Sequence, residues 1–391
     1  MNVIYMDNNA TTRVSDAVME AMRPYFTELY GNPSSMHAFG GQVGQNISAA
    51  RKNVADLIGA APGEIIFTGS GTESDNTAIY AALRSKPDKR HIITSRVEHP
   101  AVKNLLEDLS KNGYRVTWVP VDRYGMLDMD YLYDHLTDDT AIVSLMWANN
   151  ETGVIFPIAD IARTLRSRGI VFHTDAVQAA GKIPVDVNQA GVDMLSLSGH
   201  KIHAPKGIGA LYVRKGTRFS PFLIGGHQER GRRGGTENTP AMIGMGKAAE
   251  LARRHLSADR NRVATLRDKL ETAVLNNIDN VMLNGHKQKR LPNTLSVSFE
   301  YVEGEAILLM LDQLGICASS GSACTSGSLE PSHVLRAMGV PFTAAHGSIR
   351  FSLGVYNTDA EVDFVVENLP PVIERLRQMS PFWKRGACQP Q

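Results

Sequence analysis

The fold is decided by the stretch Ser196-Leu197-Ser198-Gly199-His200-Lys201, in which a lysine follows the end of a short apolar run. A second apolar run, Val171-Phe172-His173-Thr174-Asp175, ends upstream in an aspartate. Both runs have the length and composition of buried strands. As parallel strands of one sheet they would carry the amine and the carboxylate at their carboxyl ends, where α/β sheets bind ligands.

A lysine and an aspartate in these positions suit the cofactor pyridoxal 5'-phosphate (PLP). Lys201 would form the Schiff base with the cofactor. Asp175 would pair with the pyridinium nitrogen and keep it protonated, so that the ring acts as an electron sink. Taken alone, the two residues also fit an exposed loop lysine and an aspartate that caps a helix, so the other motifs must decide.

Apolar runs of strand length alternate with helical patterns from about residue 64 to 215. The predicted strands are Glu64–Thr68, His91–Ser95, Val116–Val121, Ala141–Met146, Ile170–His173, Met194–Leu197 and Ala210–Val213. The helices predicted between them include Thr72–Leu83, Ala101–Lys111 and Ile158–Arg168. This alternation predicts an α/β domain with a mostly parallel sheet. A helical stretch, Thr239–Asn277, then leads into an α+β region.

Composition narrows the class of protein. At 391 residues the chain is too long for one ordinary core, which predicts two domains. Its 41 basic and 40 acidic residues nearly cancel, so nothing points to a nucleic-acid or membrane-surface partner. Only three cysteines indicate a reducing compartment rather than a disulfide framework. The first residues do not resemble a signal peptide and no run is long enough to span a membrane, so we expect the cytoplasm.

Polar residues follow three further predicted strands. The stretch Gly69-Ser70-Gly71-Thr72-Glu73 opens a helix and suits a phosphate, although it also fits an ordinary turn with a capping box. His99 follows the next strand and either stacks on a cofactor ring or only begins a helix. Asn149 and Asn150 suit either a turn or a site that binds a carboxylate or phenolic oxygen through neutral donors. No P-loop or Gly-x-Gly-x-x-Gly follows the first strand, which argues against a simple nucleotide-binding protein.

Gln178 and Arg350 are candidates for finer contacts. Gln178 lies three residues after Asp175, on the same side of a helical turn, and would reach a ring oxygen of the cofactor. Arg350 lies in an alternating strand pattern, on the face opposite Ile349 and Phe351. It either binds a substrate carboxylate through its bidentate fork or is a surface arginine.

Two loops are rich in small residues. The stretch Arg230–Asn238 is basic and glycine-rich, which suggests a shaped loop near an anion or another subunit. The stretch Ala318–Gly327 holds Cys324 among serines and glycines, so it is either a flexible loop that moves a thiol into a site or a linker with an incidental cysteine. A thiol with nothing to pack against favours function. Cys317 is expected to be a buried small hydrophobe.

Together these motifs resemble the cysteine desulfurases, the NifS/IscS group of PLP enzymes with the aminotransferase class V fold. The resemblance runs through nearly the whole chain, and its motifs stand in the same order. They are the stretches Tyr5–Thr12, Gly31–Ser35, Glu98-His99, Ser198–Lys201, Arg233–Thr236, Ser320–Ser326 and Ser348–Ser352. The Cys324 region looks closest to the NifS type. Met36, where housekeeping relatives tend to carry arginine, points the same way.

The resemblance implies a PLP-dependent transferase of fold type I. A large PLP-binding domain, residues 13–255, would contain a mostly parallel sheet of seven strands. A smaller α+β domain, residues 1–12 and 256–380, would carry the catalytic cysteine loop, and residues 381–391 would form a tail. We also expect a homodimer, since Thr236 resembles a residue that reaches the cofactor of the partner subunit.

The resemblance also implies roles for matching residues. The catalytic residues would be Lys201, Cys324 and His99. The cofactor would be bound by Gly71, Thr72, His99, Asn150, Asp175, Gln178, Ser198, Gly199, His200, Lys201 and Thr236. Within that set His99 would stack on the ring, and Thr72, Ser198, His200 and Thr236 would hold the phosphate. Asn150 and Arg350 would bind the substrate carboxylate.

The implied reaction converts L-cysteine to L-alanine. Lys201 would remove the Cα proton, and the Cys324 thiolate would attack the substrate's sulfur and become a persulfide. An iron–sulfur scaffold, expected to serve nitrogenase, would accept the sulfur, and Cys324 would be a transient iron–sulfur ligand through its persulfide. The alternatives are a housekeeping desulfurase, a selenocysteine lyase, a class V aminotransferase that would not need Cys324, and a non-enzymatic scaffold that lends its thiol to a cluster.

Overall fold

The computed structural model describes residues 3–320, 331–381 and 383. Their strands are short and mostly buried. In chain order they are β1 (Ile4–Tyr5), β2 (Ile65–Thr68), β3 (His91–Ser95), β4 (Arg115–Val119), β5 (Thr140–Met146), β6 (Val171–Asp175), β7 (Met194–Ser198), β8 (Gly209–Val213), β9 (Val281–Leu283), β10 (Thr294–Phe299), β11 (Ile316–Cys317), β12 (Ser319–Ser320) and β13 (Ser348–Ser352).

Helices occur throughout these residues. They are α1 (Asp16–Met22), α2 (Pro24–Thr27), α3 (Ala38–Leu57), α4 (Gly71–Ser85), α5 (Pro100–Lys111), α6 (Met129–Asp134), α7 (Ile158–Ser167), α8 (Val187–Ala190), α9 (Thr239–Asn277), α10 (Gly304–Gln313), α11 (His333–Ala337), α12 (Phe342–His346) and α13 (Asp359–Met379). Short 3-10 turns lie at Pro62–Glu64, Gly199–Lys201 and Gln228–Gly231. In the described part of the chain, none of the helices has both the length and the apolar character that crossing a membrane requires.

The central sheet has seven strands in the order β2-β8-β7-β6-β5-β3-β4. Its pairs are parallel except those of β8, which runs antiparallel to both of its neighbours. Every residue of β5, the strand Thr140–Met146, is buried, as expected for a strand with helices packed on both faces. The mostly parallel seven-stranded α/β sheet predicted from the sequence is therefore confirmed.

A second apolar core lies around a four-stranded antiparallel sheet, β12-β13-β10-β9. The helix α9 connects it with the first core. Met242 and Met245 in its first half pack in the core of the large sheet, whereas Leu266 and Leu270 in its second half pack in the second core. The division into a domain of residues 13–255 and a second of residues 1–12 and 256–380 stays a proposal. The change of core along α9 supports it.

The N-terminal segment joins the second core rather than the large sheet. The strand β1 pairs in parallel with β11, and Asp7 forms a bridge with Ser352 at the end of β13. The segment then passes over the large sheet, where the backbone N–H of Thr12 donates to the carbonyl of His200 at 2.9 Å. Residues 7–12 therefore lie between the two cores.

Candidate active site

The carboxyl ends of the central strands surround a cavity of about 530 Å³. Most of the predicted site residues line it: Gly71, Thr72, His99, Asn150, Asp175, Gln178, Ser198, His200, Lys201 and Arg350. All but Arg350 lie at or just after the ends of β2, β3, β5, β6 and β7. Arg350 reaches the cavity from β13 in the smaller sheet. Residues that are far apart in the chain thus form one site, since parallel strands end at a common edge.

Lys201 ends the 3-10 turn that follows β7 and points toward the N-terminal segment. Its Nζ donates to the carbonyl oxygens of Asn9 at 2.5 Å and Ala10 at 2.7 Å. Burial, and then the positive charge of Arg350, lower the pKa of Lys201 to about 8. About a tenth of this amine is therefore neutral at pH 7, far more than for an ordinary lysine, and the neutral amine is the form that attacks a carbonyl group.

The first turn of α4 forms the predicted phosphate end of the cavity. Ser70 caps the helix, with its Oγ accepting from the backbone N–H of Glu73 at 3.1 Å. Only half of the capping box that the sequence left open as an alternative is thus present, since the Glu73 carboxylate accepts from the backbone N–H of Gly69 at 2.7 Å and not from that of Ser70. The cap leaves Gly71 and Thr72 free to line the cavity. The Glu73 carboxylate accepts from Arg233 at 2.8 Å, which connects this turn with the glycine-rich loop.

Gly71 keeps this end of the cavity open. A Cβ atom at this position would lie 3.0 Å from Cγ2 of Val177 and 3.2 Å from Cβ of Ser198, closer than side chains normally pack. We expect Gly71→Ala to weaken PLP binding about tenfold, the effect of one displaced hydrogen bond. Titration of the apo-protein with PLP, followed by absorbance, measures this change. Gly63→Ala is the matched control because nothing lies within 4 Å of its added Cβ. Equal affinity of the two variants would contradict the prediction.

Asp175 is the carboxylate that faces the cavity from β6. It is 7% exposed, and its Oδ1 accepts from the backbone N–H of Val177 at 2.9 Å. Burial raises its pKa to about 6, while that hydrogen bond and the positive charge of Lys201 act in the opposite direction. Asp75 lies in the same cavity, and burial together with the negative charge of Asp175 raises its pKa well above the usual value. The cavity therefore holds two neighbouring carboxyl groups, and burial favours the protonated form of both.

His99 begins α5 and also lines the cavity. Its Nδ1 accepts from the backbone N–H of Ala101 at 3.1 Å, which fixes the ring and makes Nε2 the protonated nitrogen of the neutral ring. Desolvation, and then the positive charge of Lys201, lower the pKa of His99 to about 4. The ring is therefore neutral and can accept a proton only transiently. Both the capping role and the cavity position that the sequence suggested are present.

Arg350 is 7% exposed and is held on two sides. Its Nη2 donates to Oδ1 of Asp7 at 2.9 Å, and its Nη1 donates to the carbonyl oxygen of Asn150 at 2.9 Å. Its Nε is buried and has no hydrogen-bond partner among the described residues. An unpartnered donor of a buried cation is costly, so the guanidinium is suited to bind an anion that enters the cavity.

The two asparagines after β5 have different roles. Asn149 is buried, and its Oδ1 accepts from the backbone N–H groups of Glu151 and Thr152 at 2.9 Å, which makes the predicted turn. Asn150 lines the cavity, and its carbonyl oxygen accepts from Asn9 as well as from Arg350.

Sequence reasoning missed part of the cavity wall. Asn9, Ala10 and Thr11 line the cavity, and Thr11 contacts His200, with 3.1 Å between its Oγ1 and the histidine Nδ1. The run of small, mostly polar residues in Asp7–Thr12 could have indicated these three residues, since such residues commonly line sites that bind polar ligands. Asp7 and Lys182 were also missed, because their contacts are made with residues distant in the chain.

Two of the predicted residues that the structure describes do not line this cavity. Gly199 is buried, and a Cβ at its position would lie 2.6 Å from Ile208. Thr236 lies exposed on the glycine-rich loop. Cys324 lies outside the described residues, so its roles as nucleophile and transient iron–sulfur ligand stay predictions. Cys317, expected to be a buried small hydrophobe, is instead only partly buried on β11.

The donor set fits PLP. The cavity offers a partly neutral amine, a carboxylate, a helix N-terminus with adjacent hydroxyl groups, and a buried arginine with an unpartnered Nε. These groups match an aldehyde, a pyridinium nitrogen, a phosphate and a substrate carboxylate, respectively. Gly71 leaves room at the phosphate end, which a side chain would fill.

Comparisons with known proteins agree with this geometry. The family model described as aminotransferase class-V matches residues 4–365. The chain is 59% identical over 382 residues to a cysteine desulfurase of Trichormus azollae, covering 98% of this chain and 96% of that protein. It is 56% identical over 381 residues to the cysteine desulfurase NifS of Azotobacter vinelandii, covering 97% and 95%.

A solved structure agrees as well. A NifS-like protein, 39% identical, superposes with a TM-score of 0.90 over 96% of this chain and 100% of that one. The resemblance, the fold class and the PLP cofactor predicted from the sequence are confirmed by these matches. The chain belongs to the aminotransferase class-V family of PLP-dependent enzymes.

Proposed function

We propose that the chain is a cysteine desulfurase, which converts L-cysteine to L-alanine and transfers the sulfur to Cys324 as a persulfide. The observation that carries the proposal is the convergence of Lys201, Asp175 and Arg350 on one cavity, in a chain so similar to proteins named cysteine desulfurase. An amine, a pyridinium partner and a carboxylate donor are what a PLP enzyme acting on an amino acid needs.

PLP, when bound, supplies an electron sink for the negative charge that develops at the substrate's Cα. Lys201 provides the amine for attachment and, when released by the substrate's own amine, removes the Cα proton. Its pKa of about 8 suits this role, since a general base works best with a pKa near the working pH. The carbonyl oxygens of Asn9 and Ala10 hold its Nζ at the cavity wall. His99 moves protons through Nε2, because Nδ1 is engaged with the helix backbone.

Arg350 binds the substrate carboxylate through its unpartnered Nε. Asp7 and the carbonyl oxygen of Asn150 orient the guanidinium, so the fork is held in place before substrate arrives. Because the carboxylate is present in the ground state and in the transition state alike, this contact contributes uniform binding.

We expect Arg350→Lys to raise KM for L-cysteine about a hundredfold and to change kcat only a few-fold, because an ammonium group replaces the oriented fork. Steady-state alanine formation measures both constants. Arg377→Lys is the matched control: Arg377 is also buried in the smaller core, but it donates to the carbonyl oxygens of Asn280 and Glu300, away from the cavity. Equal changes in KM for both variants would contradict the role of Arg350.

The sulfur step belongs to Cys324. Its thiolate attacks the substrate's sulfur, so that a sulfur–sulfur bond forms and the carbon–sulfur bond breaks. The electron pair of the broken bond stays with Cβ, which gains one proton, while Cys324 has lost one. Cysteine thus becomes alanine, and the enzyme keeps the sulfur as a persulfide, without an external oxidant or reductant.

We further propose that the enzyme is a cytoplasmic homodimer that supplies an iron–sulfur scaffold, within a nitrogenase pathway. The exposed Thr236 would reach the partner's cofactor from the glycine-rich loop. The name of the Azotobacter vinelandii relative supports the nitrogen-fixation assignment. A housekeeping desulfurase and a selenocysteine lyase are the alternatives for the same site.

The experiment that tests the function is incubation of the PLP-loaded enzyme with L-cysteine. Alanine should form, and without added thiol it should stop at one equivalent per active site, with the sulfur recovered as protein persulfide. A thiol acceptor should restore continuous turnover. Keto acid and no alanine would identify an aminotransferase instead, and L-selenocysteine in a parallel reaction tests the lyase alternative.

A further inference from the structure

Lys182 is a lysine beside the cavity that no step above uses. It lies in the turns that follow β6, and its Nζ donates to Oε1 of Gln178 at 2.7 Å and to Oδ1 of Asn9 at 3.0 Å. Both acceptors belong to residues that line the cavity. Lys182 therefore donates hydrogen bonds to two residues that line the cavity.

The contact with Lys182 is one of two contacts that determine which way the Gln178 amide points. Gln178 is 6% exposed, and its Nε2 donates one hydrogen to the carbonyl oxygen of Asn9 at 2.9 Å. With Oε1 occupied by a lysine donor, the flipped amide would set its NH2 group against the lysine N–H and its oxygen against the Asn9 carbonyl. The contact between the two oxygens would then be unfavourable, and Oε1 would lose its lysine donor, which together select one orientation of the amide.

We propose that Lys182 is a positioning residue that locks the Gln178 amide with its NH2 group toward the cofactor. The remaining N–H of Gln178 is then available to the ring oxygen, the contact predicted for this glutamine. The proposal rests on that cofactor contact within the proposed function and is independent of the sulfur chemistry at Cys324.

The lysine holds this position without needing its charge. Burial, and then the positive charges of Lys201 and Arg350, lower the pKa of Lys182 well below its usual value. A neutral amine has two N–H groups, which equals the number of acceptors around Nζ. Asn9 is fixed in turn by Asn293, whose Nδ2 donates to the same Oδ1 at 3.0 Å, so the arrangement is anchored in the smaller core.

The test is a pH titration of the visible absorbance of bound PLP. An N–H group held against the ring oxygen makes the adjoining nitrogen, which Lys201 contributes, a weaker base. Lys182→Met removes one of the two contacts that hold the amide and should raise the midpoint by about one pH unit, a roughly tenfold change in the protonation equilibrium from one weakened hydrogen bond. Lys182→Arg keeps a donor and should stay near the wild-type midpoint.

Repeating the titration in a Gln178→Ala variant distinguishes positioning of Gln178 from a general disturbance of the fold. If Lys182 acts through Gln178, the shift caused by Lys182→Met should disappear when Gln178 is already alanine. Lys86→Met is the control, because Lys86 is also a partly buried lysine but donates to the carbonyl of Gly169, away from the cavity.

Should Lys182→Met not fold, Lys182→Gln takes its place. An unchanged midpoint, or an equal shift in both backgrounds, would overturn the proposal; loss of alanine formation alone would bear only on the proposed function.

Discussion

Lys201→Ala is expected to reduce alanine formation from L-cysteine by at least about a thousandfold, because one substitution removes both the attachment amine and the base. Lys182 is no substitute, because its Nζ is engaged with Gln178 and Asn9. Lys206 also lines the cavity, so the covalent attachment must be measured directly. Borohydride reduction followed by mass measurement checks the first role, since wild-type protein should keep the cofactor covalently and the variant should not.

The control for Lys201 is Lys215→Ala, which removes an exposed lysine just after β8. This variant should retain the cofactor and full activity. Covalent retention of PLP by the Lys201 variant after reduction would show that another lysine is the attachment site. Normal turnover in that variant would remove Lys201 from the mechanism.

Cys324→Ala is expected to reduce persulfide and alanine formation by at least about a hundredfold and to leave the absorbance of bound PLP unchanged. The thiolate is the attacking group, and alanine carries no replacement nucleophile. Alanine assay and persulfide labelling measure the loss, and the absorbance spectrum checks that the cofactor end of the site is intact. This combination separates a desulfurase from an aminotransferase, which does not need the thiol.

Cys317→Ala is the matched control for the sulfur step. Cys317 is partly buried on β11, and burial raises the pKa of its thiol, which makes it a poor nucleophile near neutral pH. Its replacement should therefore leave sulfur transfer unchanged. If Cys317→Ala abolished activity and Cys324→Ala kept it, the persulfide would form on Cys317, and the assignment to Cys324 would be wrong.

Much of the architecture could be predicted from local pattern. The strand of residues Met194–Ser198 was predicted as Met194–Leu197, and the helix Thr239–Asn277 was predicted with the bounds it has. Buried strands of a parallel sheet are continuous apolar runs, and amphipathic helices repeat every 3.6 residues, so both leave a signal in consecutive residues. Strand ends of such a sheet share an edge, which is why Lys201 and Asp175 could be assigned to one site.

Contacts across the chain left no such signal. The pairing of Arg350 with Asp7 joins residues 343 positions apart, and Lys182 meets Asn9 across 173 positions. No periodicity predicts them, because they depend on how the N-terminal segment passes between the two cores. Cys317 illustrates the same limit: its apolar neighbours predicted burial, but β11 pairs with the short β1 and leaves the residue partly covered.

By itself, the sequence determined the sheet, the strand-end chemistry around Lys201 and the family. Those features follow from local patterns and ordered motifs. Only the tertiary structure decided that the N-terminal segment closes the cavity, that Asp7 orients Arg350, and that Lys182 holds Gln178. These features depend on contacts and hydrogen bonds of wholly or partly buried polar groups, and such groups find their partners only when the chain has folded and its distant parts are packed together.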